Sequence, residues 1–148
     1  MAGELEALVR ELFADVDRQD FAAVVRALDE EAQLVEEVSR RWLRGRAEVE
    51  AYFRQLAGAV ADIRTQVRDV HEAVWGEVGV VTCWVEQGYT LGGRRQQLSA
   101  PTTVVLRRAG DGWRIALFHS IPLPEGCAGS RRHPWRRVAT QGGQDARR

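Results

Sequence analysis

Two residue types are missing altogether. The 148-residue chain has no lysine, so all 21 basic residues are arginine, and it has no asparagine. Both residues have AT-rich codons, and a GC-rich genome accounts for the bias. The absences still exclude chemistry. There is no lysine for a Schiff base or a phosphate loop, and no asparagine for a Cys-His-Asn triad. Cysteine is scarce: Cys83 and Cys127 show neither CxxC nor metal-ligand spacing. Cys83 lies in an apolar run and reads as a small buried hydrophobe. Cys127 sits beside glycine in a loop. His71, His119 and His133 make no HxxxH pattern, so no metal site and no cofactor is expected. No apolar run approaches the ~20 residues that span a bilayer. The N-terminus MAGELEALVREL alternates charge with leucine and lacks the basic and apolar regions of a secretory signal. The expectation is a cytoplasmic protein with no membrane partner. The net charge of zero argues against nucleic acid as the main partner.

What is present suits one α+β domain. Leu5, Leu8, Val9, Leu12, Phe13 and Val16 recur at helical spacing over residues 3–18. Asp20 is an N-cap residue for a second helix over Phe21–Asp29. Two short strands follow, Gln33–Glu37 and Trp42–Arg44, then Gly45 and a third helix over Arg46–Ala59. From Ile63 the period changes to alternation, which predicts a long strand bulged near Asp69 and running to Trp75. Val78–Leu91, Arg94–Arg108 and Trp113–Ile121 are further strands, the second of them broken near Pro101. The turn cluster Ala109-Gly110-Asp111-Gly112 joins the last two, because glycine reaches positive φ without a Cβ clash. Helices first and then a strand meander indicate helices packed on one face of an antiparallel sheet. Residues 1–125 form this domain. Residues 126–148, rich in Gly and Arg, carry no apolar period and read as a disordered Arg-rich tail. With Trp135, the tail would also suit an acidic surface or a nucleic acid.

Several of these features together resemble a family. They are the first helix, Gln19-Asp20-Phe21, Glu30-Glu31-Ala32 before a short strand, Gly45 before a helix holding Tyr52-Phe53, and Val105-Leu106-Arg107 … Asp111-Gly112-Trp113-Arg114-Ile115 … His119-Ser120. Over Glu4–Pro124 they are similar to the NTF2-like superfamily, in the SnoaL-like branch that includes ketosteroid isomerases, polyketide cyclases and SgcJ/EcaC-type proteins. The resemblance implies a cone, in which a curved sheet wraps three helices around an apolar pocket. It also implies homodimers paired through the outer sheet face. The implied ligand is a hydrophobic, polyketide-like molecule of secondary metabolism, such as antibiotic biosynthesis. The implied chemistry is a cofactor-free cyclisation, isomerisation or dehydration. A carrier or an oligomerisation module is the alternative.

The resemblance points to Glu36 at the family's general-base position. A carboxylate in an apolar pocket suits proton abstraction next to a carbonyl. The other reading of Glu36 is an exposed strand-end charge. The isomerase oxyanion hole does not carry over: its tyrosine would fall near Leu12 and its aspartic acid near Thr102–Val104. Thr102 or Thr103 is left as a weaker donor. Strand parity groups Trp113, Ile115, Leu117 and His119, which makes His119 a second catalytic candidate or a structural histidine. Trp42 beside Glu36, Arg44 on the same face, Tyr52, Trp84, Thr102 and Trp113 are the candidate ligand contacts.

Overall fold

A computed structural model describes residues 3–123. The boundary at residue 125 and the tail 126–148 lie outside the described residues. The elements are α1 (Glu4–Asp17), α2 (Phe21–Arg26), β1 (Leu28–Glu36), β2 (Leu43–Arg44), α3 (Arg46–Ala57), β3 (Val60–Trp75), β4 (Val78–Leu91), β5 (Arg94–Ala109) and β6 (Gly112–Ser120). One sheet runs β2-β1-β6-β5-β4-β3. All neighbours are antiparallel except β1 and β6. Among the described residues, no helix is long and apolar enough to cross a membrane.

The helices bury their apolar stripes on the inner face of the sheet. In α1 the stripe is Leu5, Val9, Leu12 and Phe13. In α2 the Asp20 carboxylate accepts from the Ala23 N–H at 3.1 Å, capping the helix as its sequence predicts. This helix is shorter than expected. It stops at Arg26 because the Ala27 carbonyl already accepts from the Ile115 N–H at 2.9 Å. Leu28 and Asp29 therefore join the sheet, and β1 starts five residues before the predicted Gln33.

Two bulges interrupt β3, one of the two edge strands. Its pairing with β4 slips between Ala61 and Arg64 and again between Arg68 and His71. Asp62 and Asp69 take positive φ at these two bulges, a conformation aspartate tolerates better than most residues. By contrast, β4 and β5 pair without a slip, through a Gly92-Gly93 turn in which both residues have positive φ. The break expected at Pro101 is not there. Pro101 pairs with Trp84 on β4, and β6 ends opposite Thr102, one residue short of the proline. On that side its missing donor therefore has no strand to face.

The core lies between the sheet and the helices, with Leu28, Leu43, Val81, Val104 and Leu106 fully covered. Cys83 is buried as its apolar setting predicts, and burial pushes its thiol up to about 11. One buried charge stands out. Asp29 is 6% exposed; it accepts from the Glu31 N–H at 3.0 Å and from the Arg107 guanidinium at 2.7 Å. The Glu31 amide, and after it Arg107, hold this carboxyl below its ordinary range against the opposing effect of burial. A folded pKa below the unfolded one contributes stability above the unfolded value. That contribution is lost as pH falls through the lowered folded value. Asp29→Ala is expected to cost about 2 kcal/mol at neutral pH. The gap between variant and wild type should begin to narrow only as the pH falls below the ordinary aspartate value of about 4. Urea unfolding from pH 7 down to pH 3 checks both parts.

Candidate functional site

A cavity of about 90 Å³ lies between the helices and the inner sheet face. Leu12 and Phe13 of α1, Phe21 of α2 and Phe53 of α3 form one wall, and Leu34, Val85 and Phe118 form the sheet side. Phe21 and Phe53 stack at 5.1 Å, and Phe13 meets Phe118 at 5.9 Å.

Glu36 ends β1 and lines this cavity, half-buried. The chain after it folds back onto its carboxylate. The Ser39 N–H donates to Oε1 at 2.6 Å and the Val38 N–H to Oε2 at 3.2 Å. From α3, the Tyr52 hydroxyl donates to Oε1 at 2.5 Å. Burial, and after it the Glu36 charge, push the Tyr52 phenol far above its ordinary value, so it remains a donor. All three donors are neutral. Oε1 receives two of them and Oε2 one, which leaves Oε2 the freer acceptor.

Strand register sets an inward polar row beside Glu36. Glu36 pairs with Ser120 on β6, and Ser120 pairs with Thr102 on β5. The Ser120 and Thr102 hydroxyls bond at 2.8 Å, and Ser120 lines the cavity. Thr102 is buried behind it and reaches the cavity only through that bond. Two further polar side chains complete the wall. Gln87 donates to the Thr65 hydroxyl at 2.9 Å, and Thr65 donates to Asp17 at 2.6 Å. Tyr89 is 6% exposed, and burial together with the charges of Glu37 and Glu36 raises its phenol pKa. Glu37 also borders the cavity, but Arg40 pairs with it.

His119 does not reach this site. The β5–β6 register slips between Val105 and Leu106: Leu106 pairs with Ile115, but Val105 pairs with Leu117. The slip makes Ala116 an extra residue and reverses the parity after Ile115. Phe118 and Ser120 turn inward, and His119 is exposed on the outer face beside Trp42, ring centroids 6.1 Å apart. Trp42 is 38% exposed and carries the Arg44 guanidinium over its ring at 5.9 Å. Neither Trp42 nor Arg44 approaches Glu36 as expected. Trp84 is also on the outer face, where it donates to Ser99 and stacks under Arg68. Trp113 lies outside the cavity lining, with Arg108 over its ring at 4.2 Å. Its indole N–H is buried without an acceptor among the described residues. Of the candidate ligand contacts, only Tyr52 and Thr102 join Glu36, and both act from behind the wall.

Tyr89, Gln87, Phe118 and Ser120 escape the sequence reading. For Tyr89 and Gln87 a signal exists, because they share strand parity with Cys83 and Val85. For Phe118 and Ser120 the bulge hides it.

The SnoaL-like domain family matches residues 5–124. Among solved structures, the chain is similar to an NTF2-like protein with a cystatin-like fold from Novosphingobium aromaticivorans. Identity is 18% over 84% of this chain and 83% of that one, with a TM-score of 0.67. It is similar to a ketosteroid isomerase-like protein from Erwinia carotovora atroseptica, at 18% identity over 80% and 93%, with a TM-score of 0.68. It is also similar to the CaMKII hub of S. rosetta, at 18% identity over 83% and 99%, with a TM-score of 0.68. At this identity the likeness is one of fold. No curated protein sequence matches the chain.

Proposed function

The chain belongs to the SnoaL-like domain family, and from that premise we propose that it binds a compact, largely apolar small molecule in the inner cavity and transfers a proton there through Glu36. The supporting observation is the placement of the Glu36 carboxylate. It lies on an apolar wall, fixed by three neutral donors, with Oε2 the freer oxygen. In this reading Oε2 takes a proton from carbon next to a carbonyl, and the hydroxyl of Tyr89, a cavity-lining residue, supplies a hydrogen bond to the oxygen. Isomerisation and dehydration without a cofactor are reactions of this class. Size limits the substrate. A cavity of roughly 150 Å³ holds benzene; at about 90 Å³ this one takes a few heavy atoms, or the end of a longer molecule. A whole polycyclic polyketide exceeds it.

Methyl NMR with small fragments tests the binding step. Shifts are expected at Leu34, Val38 and Leu98, which line the cavity, and Leu98→Trp should abolish them. Shifts confined to the residues around Trp42 and His119 would refute the inner-cavity reading. Tryptophan fluorescence is a poor reporter here, because none of Trp42, Trp75, Trp84 and Trp113 lines the cavity.

The outer sheet face supports a homodimer. Val80, Val105 and Leu117 are successive cross-strand partners that point outward on β4, β5 and β6, each half-buried. Thr82, Thr103, His119 and Val35 form the adjoining row. A second copy laid on these rows would bury an apolar strip inside a polar rim. Sedimentation should give twice the chain mass for the wild type and a folded monomer for Val105→Arg. A monomeric wild type at high protein concentration would exclude the dimer.

A further inference from the structure

The charge of the cavity narrows the ligand further. Its wall holds two carboxylates, Glu36 and Glu37, and no arginine or histidine among the described residues. Arg40 neutralises Glu37, and Arg41 is drawn off to Glu48 at 3.1 Å. Glu36 is different, since its three donors are all neutral. Among the described residues, one negative charge therefore faces an apolar space with no cation in hydrogen-bond or salt-bridge contact with it. Around it stand the rings of Phe13, Phe21, Phe53, Phe118 and Tyr89. Aromatic faces carry negative potential and attract cations, the more so when water is excluded. Tyr89 adds a polar contact. It is 6% exposed and lines the cavity, and its hydroxyl makes no hydrogen bond among the described residues.

We propose that the cavity selects a compact organic cation, an ammonium or iminium nitrogen on a small apolar body, with the nitrogen at Glu36 and the body against the phenylalanine rings. This rests on the reading of the cavity as a small-molecule site. An anionic ligand is disfavoured: Arg44, the residue expected to hold a ligand carboxylate, is on the outer surface beside Trp42. Burying a carboxylate next to Glu36 would leave two unpaired charges in a low-dielectric space. A cationic nitrogen also complements the proposed proton transfer. An iminium takes up the electron pair left when the neighbouring C–H gives its proton to Glu36, forming a neutral enamine, whereas an ammonium acts on that charge only through its field.

Three near-isosteric probes separate the possibilities: isobutylamine, isobutanol and isobutyrate, titrated into the protein at pH 7 and followed by the cavity methyl resonances. The amine is expected to bind at least about tenfold tighter than the alcohol, and isobutyrate not to bind. Glu36→Gln should bring the amine down to the level of the alcohol. The wild-type comparison decides the matter even where that variant folds poorly. Equal binding of amine and alcohol, or a preference for isobutyrate, would overturn the cationic selectivity and leave the inner-cavity reading standing. Undisturbed cavity resonances with all three probes would overturn both.

Discussion

Phe53→Ala is expected to destabilise the domain by about 3–4 kcal/mol, a loss large enough to leave a domain of ordinary stability only marginally folded. Phe53 is 8% exposed on α3. It stacks on Phe21 at 5.1 Å with the rings 12° apart, and meets Tyr52 at 5.6 Å. The truncation removes the transfer free energy of a buried ring and the contacts that hold α2 against α3. It also widens a cavity that already exists, and the neighbouring helices are tied by their own packing and cannot collapse to fill it. The functional consequence follows from Tyr52, whose ring rests on Phe53 and whose hydroxyl holds Glu36. The variant should therefore admit larger ligands while losing order at the carboxylate. A shift of the urea midpoint by less than about 1 kcal/mol at constant m would show that Phe53 is not packed as described.

The elements that were legible in the sequence are those with a strong local signal. The α1 stripe, the Asp20 cap and the β4 span follow from periodicity and turn chemistry. The errors share one cause: non-local pairing overrides local preference. The α2 stretch ends at Arg26 because Ala27 is claimed by Ile115 across the sheet, which no window of nearby residues reveals. His119 points outward because one extra residue, Ala116, sits between two ladder positions. Strand parity read from sequence is reliable only up to the first bulge, and the candidate site straddles one. Glu36 and Thr102 escaped this error because neither depends on the parity of β6. Their meeting through Ser120 requires the parallel β1–β6 pairing, which joins residues more than eighty positions apart. The second tyrosine, Tyr89, was accessible from the parity of β4, where no bulge intervenes before β5.

Glu36→Gln is the substitution expected to have the largest effect on chemistry. Glutamine keeps the length and shape of the side chain. Its amide oxygen can still accept from Ser39 and Tyr52, the two close donors on Oε1. Its NH2 group replaces Oε2 and cannot accept from Val38 or from a carbon acid. One weak backbone hydrogen bond is lost, so the stability cost should stay near about 1 kcal/mol. Loss of the proton acceptor should slow proton transfer by about 10²–10⁴-fold. Hydrogen–deuterium exchange at the carbons next to the carbonyl of butanone and of dimethylaminoacetone, followed by NMR in D2O, reads this step without knowledge of the natural substrate. Wild-type protein should accelerate exchange in both. Glu36→Gln should remove the acceleration while the compounds still shift the cavity methyls. Tyr52→Phe separates chemistry from positioning, because it keeps the carboxylate and removes one donor from Oε1. Its exchange rate should fall by roughly tenfold or less, with the carboxylate less well aimed. If Glu36→Gln exchanged as fast as wild type, the proton would be leaving by another group. If wild type failed to accelerate exchange in compounds it binds, the cavity would be a binding site without proton-transfer chemistry, and Glu36 would serve only as its anchor.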